Sequence, residues 1–267
     1  MEFTWQEEAP PETNFREGSV LISAFPSAGL ATTVAAHYMI RALNLPRIGR
    51  FESPEIAPIA VVQGGVVNPT IRVYGRPNLG LVLSEFPPSP SQANAIARSI
   101  LEAGARHKAR LIVGLEGVVP HPPGDDEEEE ESAVPGVQSE EQVWVAYSRK
   151  EPALVKAFAP SKARLLDDGV IGGVSGALLV QGIGQNLPVA VLLVSARAAE
   201  GLPDHRAGAA LIETLDRLLP ELSIDTGPLR AQAEQIEKAI RAVMKSQQGS
   251  QTPADSQRPP ATPGMYG

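Results

Sequence analysis

Two glutamates follow apolar segments that have the character of buried strands. Glu85 comes directly after Leu79–Ser84, and Glu116 comes directly after residues 110–115. Because the carboxyl ends of parallel strands meet at one edge of an α/β sheet, both carboxylates are expected at the edge where such folds build their sites. Two carboxylates there could do acid–base chemistry, or they could cap helices and bind loop amides. A hydrolase-like or phosphorylase-like enzyme is therefore one function that the sequence leaves open.

A glycine-rich stretch over residues 169–177 suggests a second kind of chemistry. If a helix begins here, backbone amides around Gly173, Ser175 and Gly176 could cradle an anion. The stretch also half-matches the G-x-S-x-G nucleophile elbow with Ser175 as nucleophile, but Ala177 stands where the last glycine belongs. The favoured interpretation is that the glycines let a helix pack closely against its neighbours.

The histidines do not complete a catalytic or metal-binding set. His37, His107, His121 and His205 are far apart, none at metal-ligand spacing and none beside an apparent nucleophile. We interpret them as ordinary surface or boundary residues. The absence of cysteine excludes disulfides and thiolate metal sites and fits a reducing cytosol. We therefore expect a cytoplasmic protein without a metal or a cofactor.

Most of the net charge of −8 comes from one acidic run, residues 125–131, which leaves −1 for the rest of the chain. No basic patch indicates nucleic-acid binding. No apolar run approaches the roughly 18 residues that span a bilayer, and the acidic N-terminus does not have the pattern of a signal peptide. The acidic run is interpreted as a solvated loop, with contact to a basic partner surface or a gate over a neighbouring subunit as the alternatives.

Apolar strands that alternate with helical patterns predict an α/β fold. Strands are predicted at residues 18–25, 56–62, 66–74, 79–84, 110–115, 143–147 and 188–195. Helices are predicted at residues 30–43, 91–105, 151–158, 174–184, 204–219 and 227–245. Gln63, Gly64 and Gly65 indicate a hairpin between the second and third strands. Because several strands are apolar throughout, we expect a mostly parallel mixed sheet with helices on both faces, a three-layer α/β/α sandwich.

The domain organisation follows from composition. A single α/β domain is expected over residues 18–245, with an acidic loop insertion over 120–141. Residues 1–17 are an N-terminal extension, and residues 246–267, dominated by Gln, Ser, Pro, Thr and Gly, are expected to form a flexible tail. The last predicted helix carries a short heptad-like apolar seam, which either packs on the sheet of this chain or associates with a second copy.

The tail ends in Met265, Tyr266 and Gly267. A large apolar residue, a tyrosine and a free carboxylate form a compact group that can insert into a pocket of another protein. The tyrosine can fill a pocket, and a lysine or backbone amides can capture the carboxylate. Such a group does not stabilise the hydrophobic core of its own chain, so it indicates docking onto another protein.

Five short segments, spread over residues 18–245, together resemble the proteasome-assembly-chaperone family, in particular its archaeal members. They are residues 25–30, 71–74, 81–85, 111–117 and 172–176. The first departs from the family pattern, because Ala24 and Phe25 stand before Pro26 where a glycine usually precedes the proline. The acidic insertion also looks particular to this chain.

The resemblance implies a three-layer fold akin to nucleoside phosphorylases without their active site. It also implies a homo-oligomer that binds proteasome α subunits as an assembly chaperone, an activator or both. Tails that end in a hydrophobic residue, tyrosine and any residue insert between α subunits in this family, and Met265, Tyr266 and Gly267 match that motif. The predicted ligand or interface loops hold Pro26, Ser27, Gly29, Glu85, Glu116, Gly173, Ser175 and Gly176.

Overall fold

The structure, a computed structural model, describes residues 2–10, 13–56, 58–119, 141–197 and 202–249. The acidic run, His121 and the terminal tripeptide Met265, Tyr266 and Gly267 lie outside these ranges. Contacts divide the chain into a compact unit, Met1–Ala233, and a second unit, Glu234–Gly267, in which the last helix continues as far as Gly249.

Eleven strands and six α-helices lie within the described ranges. The strands are β1 Thr4–Glu7, β2 Val20–Ala24, β3 Arg47–Glu52, β4 Val61–Gln63, β5 Val66–Asn68, β6 Ile71–Arg76, β7 Leu79–Ser84, β8 Leu111–Val118, β9 Val143–Tyr147, β10 Arg164–Leu165 and β11 Val189–Ser195. The helices are α1 Ala31–Ala42, α2 Pro90–Arg106, α3 Pro152–Phe158, α4 Gly173–Gly182, α5 His205–Leu218 and α6 Gly227–Gly249.

Nine of these strands form one mixed sheet in the order β1-β3-β6-β7-β2-β8-β11-β9-β10. Its centre, β7-β2-β8-β11, is parallel, and Ile22 of β2 pairs with Leu81 on one side and Val113 on the other. Antiparallel pairs extend it through β6, β3 and β1 at one end and through β9 at the other. The central strands are mostly apolar because helices cover both of their faces.

Two hydrophobic cores lie on opposite faces of the sheet. Helices α1 and α5 pack on one face, where Ile22 and Leu211 belong to the same buried cluster. Helices α2 and α4 pack on the other, where Leu21, Ile96 and Leu178 belong to the second cluster. The predicted α/β fold with helices on both faces is confirmed. None of the described helices is long and apolar enough to cross a membrane.

Strands β1 and β3 are absent from the sequence prediction. β1 has only four residues and lies in the stretch predicted as an N-terminal extension. β3 carries Arg47, Arg50 and Glu52, which hide its apolar pattern. The two strands pair because the Trp5 ring meets Phe51 edge-on at 5.3 Å, so aromatic packing fixes the N-terminus on the sheet.

The predicted hairpin is present as a separate two-stranded sheet of β4 and β5. Its turn residues Gly64 and Gly65 have φ angles of 57° and 79°, the type I′ geometry that glycine favours. The third predicted strand, residues 66–74, is wrong as one element, because it divides at Pro69 and Thr70 into β5 and β6. Proline cannot donate to a strand ladder, which ends β5 there.

Candidate functional site at the carboxyl edge of the parallel strands

The loops predicted from sequence meet at the carboxyl edge of the central strands. β2 ends at Ala24 and leads into the loop with Pro26 and Ser27, and β7 ends at Ser84 immediately before Glu85. The chain then turns into α2, whose start is fixed by a capping box between Ser89 and Gln92.

Glu85, which is partly exposed, forms an ion pair with a buried arginine. Arg72 of β6 is fully buried, and its Nη2 donates to Glu85 Oε1, while its Nη1 donates to the Pro69 carbonyl at 3.1 Å. His37 of α1 approaches the same Glu85 oxygen, with its Nε2 at 3.1 Å. A buried guanidinium needs such a partner, because an unpaired charge in the core is very costly.

These contacts set the charge state of Glu85. Burial alone would raise the pKa of Glu85, but the hydrogen bond from His37 and the charge of Arg72 outweigh it, so the pKa is lowered. A carboxylate held in this way is a poor proton acceptor. The roles of His37 and Arg72 were not predicted from the sequence, although an arginine between apolar neighbours in a predicted strand is a signal for a buried partner.

Glu116 lies in different surroundings. It is inside β8, which continues to Val118, so the prediction that it follows the strand is wrong. Burial raises the pKa of Glu116 to about 7, although the nearby Ser175 hydroxyl and Gly117 amide act to lower it. Near neutral pH this carboxyl group therefore keeps its proton far more often than an exposed glutamate does.

Glu116 lines a cavity of about 230 Å³ with otherwise mostly apolar walls. The lining residues are Phe25, Pro26, Pro87, Pro88, Glu116, Val118, Val170, Ile171, Gly172, Gly173, Val174 and Leu193. The cavity thus joins the loop after β2, the entry to α2 and the start of α4, and it offers apolar contact with one titratable group.

The two glutamates do not face each other. Glu85 contacts His37 of α1 and follows β7, whose residues Leu81 and Leu83 belong to the α1–α5 core. Along β8, successive side chains point to opposite faces of the sheet. Glu116 is on the same face as Ile112, which belongs to the α2–α4 core, and residues at the alternate positions of β8 belong to the α1–α5 core. The sheet therefore separates the two carboxylates, and they do not form an acid–base pair.

Ser175 is buried near the start of α4, and its hydroxyl donates to the Leu115 carbonyl at 3.3 Å. It does not stand on a strand-to-helix elbow, because residues 166–172 form no strand before α4. At Gly176 an added Cβ would come within 2.1 Å of the Ile171 carbonyl oxygen. Close packing therefore requires a glycine at Gly176, whereas an added Cβ at Gly172 or Gly173 would meet nothing within 4 Å.

The loop after β2 is tightly held. The Ser27 and Thr32 hydroxyls lie 3.2 Å apart, and the Gly29 carbonyl accepts from the Asp204 amide at 2.7 Å. Gly29 has a φ of 60°, and an added Cβ would come within 2.9 Å of the Arg197 carbonyl oxygen. The loop with Pro26, Ser27 and Gly29 is therefore part of the packed scaffold around the cavity.

The described residues contain no group of three or more His, Asp or Glu side chains placed to hold a metal ion. His107 contacts Glu7, with Nε2 to Oε1 at 3.2 Å, and lies against the Phe15 ring. His205 begins α5, and its Nδ1 is 3.0 Å from the Pro203 carbonyl. His37, His107 and His205 thus have separate local partners.

Similarity to known proteins agrees with this architecture. An uncharacterized protein of Methanocaldococcus jannaschii is 26% identical over 225 residues, which are 84% of this chain and 85% of that protein. The crystal structure of Pyrococcus furiosus PbaA, an archaeal homologue of proteasome-assembly chaperone, matches with a TM-score of 0.75 and 24% identity over 94% of each chain. Pyrococcus furiosus PbaB, an archaeal proteasome activator, matches with a TM-score of 0.71 and 20% identity, over 91% of this chain and 99% of PbaB.

The structural matches show a shared fold, and a family model extends the agreement to sequence. The model of the PAC2 family matches residues 21–244, nearly the whole of the α/β body. The chain therefore belongs to the PAC2 family, which confirms the resemblance to the proteasome-assembly-chaperone family.

Proposed function

We propose that this chain is a cytoplasmic, non-enzymatic adaptor of the proteasome, acting as an assembly chaperone, an activator or both. It docks Met265, Tyr266 and Gly267 into pockets of the proteasome α ring. The observation that carries the proposal is this terminal tripeptide, because it stands on a PAC2-family chain. Proteins of similar fold include a proteasome-assembly-chaperone homologue and a proteasome activator.

In the proposed contact, the Tyr266 ring fills an apolar pocket, Met265 packs beside it, and the Gly267 carboxylate meets a lysine or backbone amides. From Gly249, the last described residue, 18 residues lead to Gly267. A flexible coil of that length spans roughly 21–25 Å, and prolines extend it further. That reach suffices for a tail to enter a pocket while the body stays outside the ring.

One tail of this kind binds weakly, because ordering the segment costs conformational entropy. We propose that the chain forms a homo-oligomer, so that several tails engage several α subunits of one ring. Once the first tail is bound, the others are held at high effective concentration, and avidity rises without any new type of contact.

Two contacts and one separation at the carboxyl edge support the non-enzymatic part of the proposal. The ion pair to Arg72 occupies Glu85, the sheet separates Glu85 from Glu116, and the Ser175 hydroxyl donates to a main-chain carbonyl. The enzyme alternative, a hydrolase or phosphorylase using these carboxylates, requires groups that converge on one substrate. Glu85 and Glu116 do not converge in that way, because they lie on opposite faces of the sheet.

The test is a native-gel shift or pull-down of archaeal proteasome α rings. The intact chain is compared with Tyr266→Ala, with a chain extended by one residue after Gly267, and with Thr262→Ala as a control in the same tail. We expect binding by the intact chain and by Thr262→Ala only. Tyr266→Ala loses the aromatic side chain, and the added residue moves the terminal carboxylate one position away from Tyr266. Equal binding by all four would place the interface on the folded body, and binding by none would refute the adaptor function.

A further inference from the structure

The cavity at the carboxyl edge has the walls of a small-ligand site and plays no part in the proposed tail docking. Its volume of about 230 Å³ is that of roughly seven or eight water molecules in the liquid. Of the twelve residues that line it, Glu116 alone is ionisable, and the others are glycine or apolar. Pockets for drug-sized ligands have about 300–1,000 Å³, so this smaller cavity suits a short chain with one polar group.

Glu116 differs from Glu85 and Glu213, two other partly buried glutamates, because it has no cation beside it. Glu85 pairs with Arg72, and Glu213 pairs with Arg230 at 2.6 Å. Within the described residues, no Lys, Arg or His side chain forms an ion pair with Glu116. Its polar neighbours are the backbone amide that follows it and one serine hydroxyl, and these neutral groups do not balance a negative charge.

The neighbouring elements, as far as the structure describes them, do not supply the missing positive charge. The loop after β2, the entry to α2, the start of α4 and β11 reach the cavity, and their lining residues carry no charge. Residues 170–196, which include α4 and β11, contain no ionisable side chain. Glu85, just before the entry to α2, lies on the opposite face of the sheet with His37 and Arg72. The cavity therefore presents one acidic group in apolar walls, which favours a cation over an anion.

A proton balances Glu116 when the cavity holds no other cation. Burial raises the pKa of Glu116 to about 7, so near neutral pH the carboxyl group exchanges between its neutral and its charged form. A cation that enters the cavity would pair with the charged form and displace the proton. The apolar walls require the rest of that cation to be hydrocarbon, because a polar chain would lose its hydration without gaining new partners.

We propose that this cavity binds a primary ammonium group carried on a short hydrocarbon chain. The ammonium donates to the Glu116 carboxylate, and the methylene groups lie against walls that include Pro26, Pro88 and Leu193. A lysine side chain of a partner protein and a free alkylamine share this chemistry. The site belongs to the folded body, so it can be present whether or not the tail docks on a proteasome ring.

The first test is titration of the full chain with pentan-1-amine, followed by NMR of its methyl groups. Signals of Val118, Val174 and Leu193, which line the cavity, should shift, whereas those of Val155 on α3 should not. For a ligand of about six non-hydrogen atoms we expect a Kd on the order of millimolar. Pentan-1-ol, with a hydroxyl in place of the ammonium, should bind about tenfold more weakly. Equal binding of the alcohol, or shifts confined to other residues, would overturn the proposal.

The second test uses the competition between the ammonium and the proton. Pentan-1-amine stays charged from about pH 6 to about pH 8, because an alkylammonium has a pKa of about 10.4. With the pKa of Glu116 at about 7, its charged fraction rises from about one tenth to about nine tenths over this interval, so the affinity should rise about tenfold. Glu116→Gln should remove both the binding and its pH dependence, whereas Glu102→Gln, at an exposed position on α2, should keep both. A pH-independent affinity of the unchanged chain would contradict the proposal, whatever the variants do.

A third measurement distinguishes the two sources of the ammonium group. A short peptide with blocked ends and one lysine is titrated in the same way, with its N-acetyllysine form as the uncharged control. Binding of the lysine peptide and not of the acetylated one would assign the cavity to a lysine side chain of a partner protein. Binding of pentan-1-amine alone would assign it to a small free amine. Both results support an ammonium site, and binding of neither compound would refute it.

Discussion

Replacement of Glu116 by glutamine should stabilise the folded protein at alkaline pH and have little effect under acidic conditions. The pKa of Glu116 is raised from 4.5 to about 7 by burial, so the folded state holds this proton more tightly than the unfolded chain. The stability linked to this group is therefore fully present below about pH 4.5, is lost as the pH rises to about 7, and is constant above that. Glutamine carries no such proton.

The magnitude follows from the two pKa values. Each unit of difference is worth about 1.4 kcal/mol, which gives about 3 kcal/mol, and solvent screening of a half-buried carboxyl reduces this to roughly 2 kcal/mol. Urea denaturation at about pH 5 and about pH 8, at one protein concentration, measures the difference. Glu102→Gln, at an exposed position on α2, is the control. Equal pH dependence of the unchanged chain and Glu116→Gln would refute the reasoning.

Three further predictions concern the same edge of the sheet. Glu85→Gln should destabilise the fold by roughly 3 kcal/mol at neutral pH and less under acidic conditions, in urea denaturation, because it leaves Arg72 buried without a carboxylate. Gly117→Ala should lower the melting temperature, because its Cβ would come within 2.4 Å of a main-chain oxygen, whereas Gly172→Ala, with open space around it, should not. Ser175→Ala should cost about 1 kcal/mol in denaturation and leave α-ring binding unchanged in a pull-down, since its hydroxyl donates to the Leu115 carbonyl inside the fold.

The elements predictable from sequence are those with strong local signals. Val143–Tyr147 forms the strand predicted for those residues, and Gly64-Gly65 forms the predicted turn. β1 and β3 could not be predicted, because β1 is short and β3 is rich in charge. Both depend on pairing with other strands, β1 with β3 and β3 with β1 and β6. The final helix runs four residues beyond its predicted end at residue 245.

The candidate site was predictable in location and not in geometry. Glu85 and Glu116 were expected at the carboxyl edge, and both are there. The strands that carry them are buried on both faces, so hydrophobic alternation gave no signal for which face each glutamate occupies. The pairing of Glu85 with Arg72 and His37 depends on contacts between distant parts of the chain, which single-sequence patterns do not contain.

The strand order has a consequence for how the chain acquires its structure. β11 lies between β8 and β9, although both precede it along the chain. Until Val189–Ser195 has left the ribosome, β8 has an open apolar edge, and β9 and β10 have no sheet to join. The emerging chain would therefore hold an incomplete sheet whose β8 edge has unpaired backbone hydrogen-bonding groups. Such an edge is prone to pair with another chain. The sheet is completed only when β11 takes its place between β8 and β9. A chain that ends before residue 189 should therefore aggregate and not fold as a smaller domain.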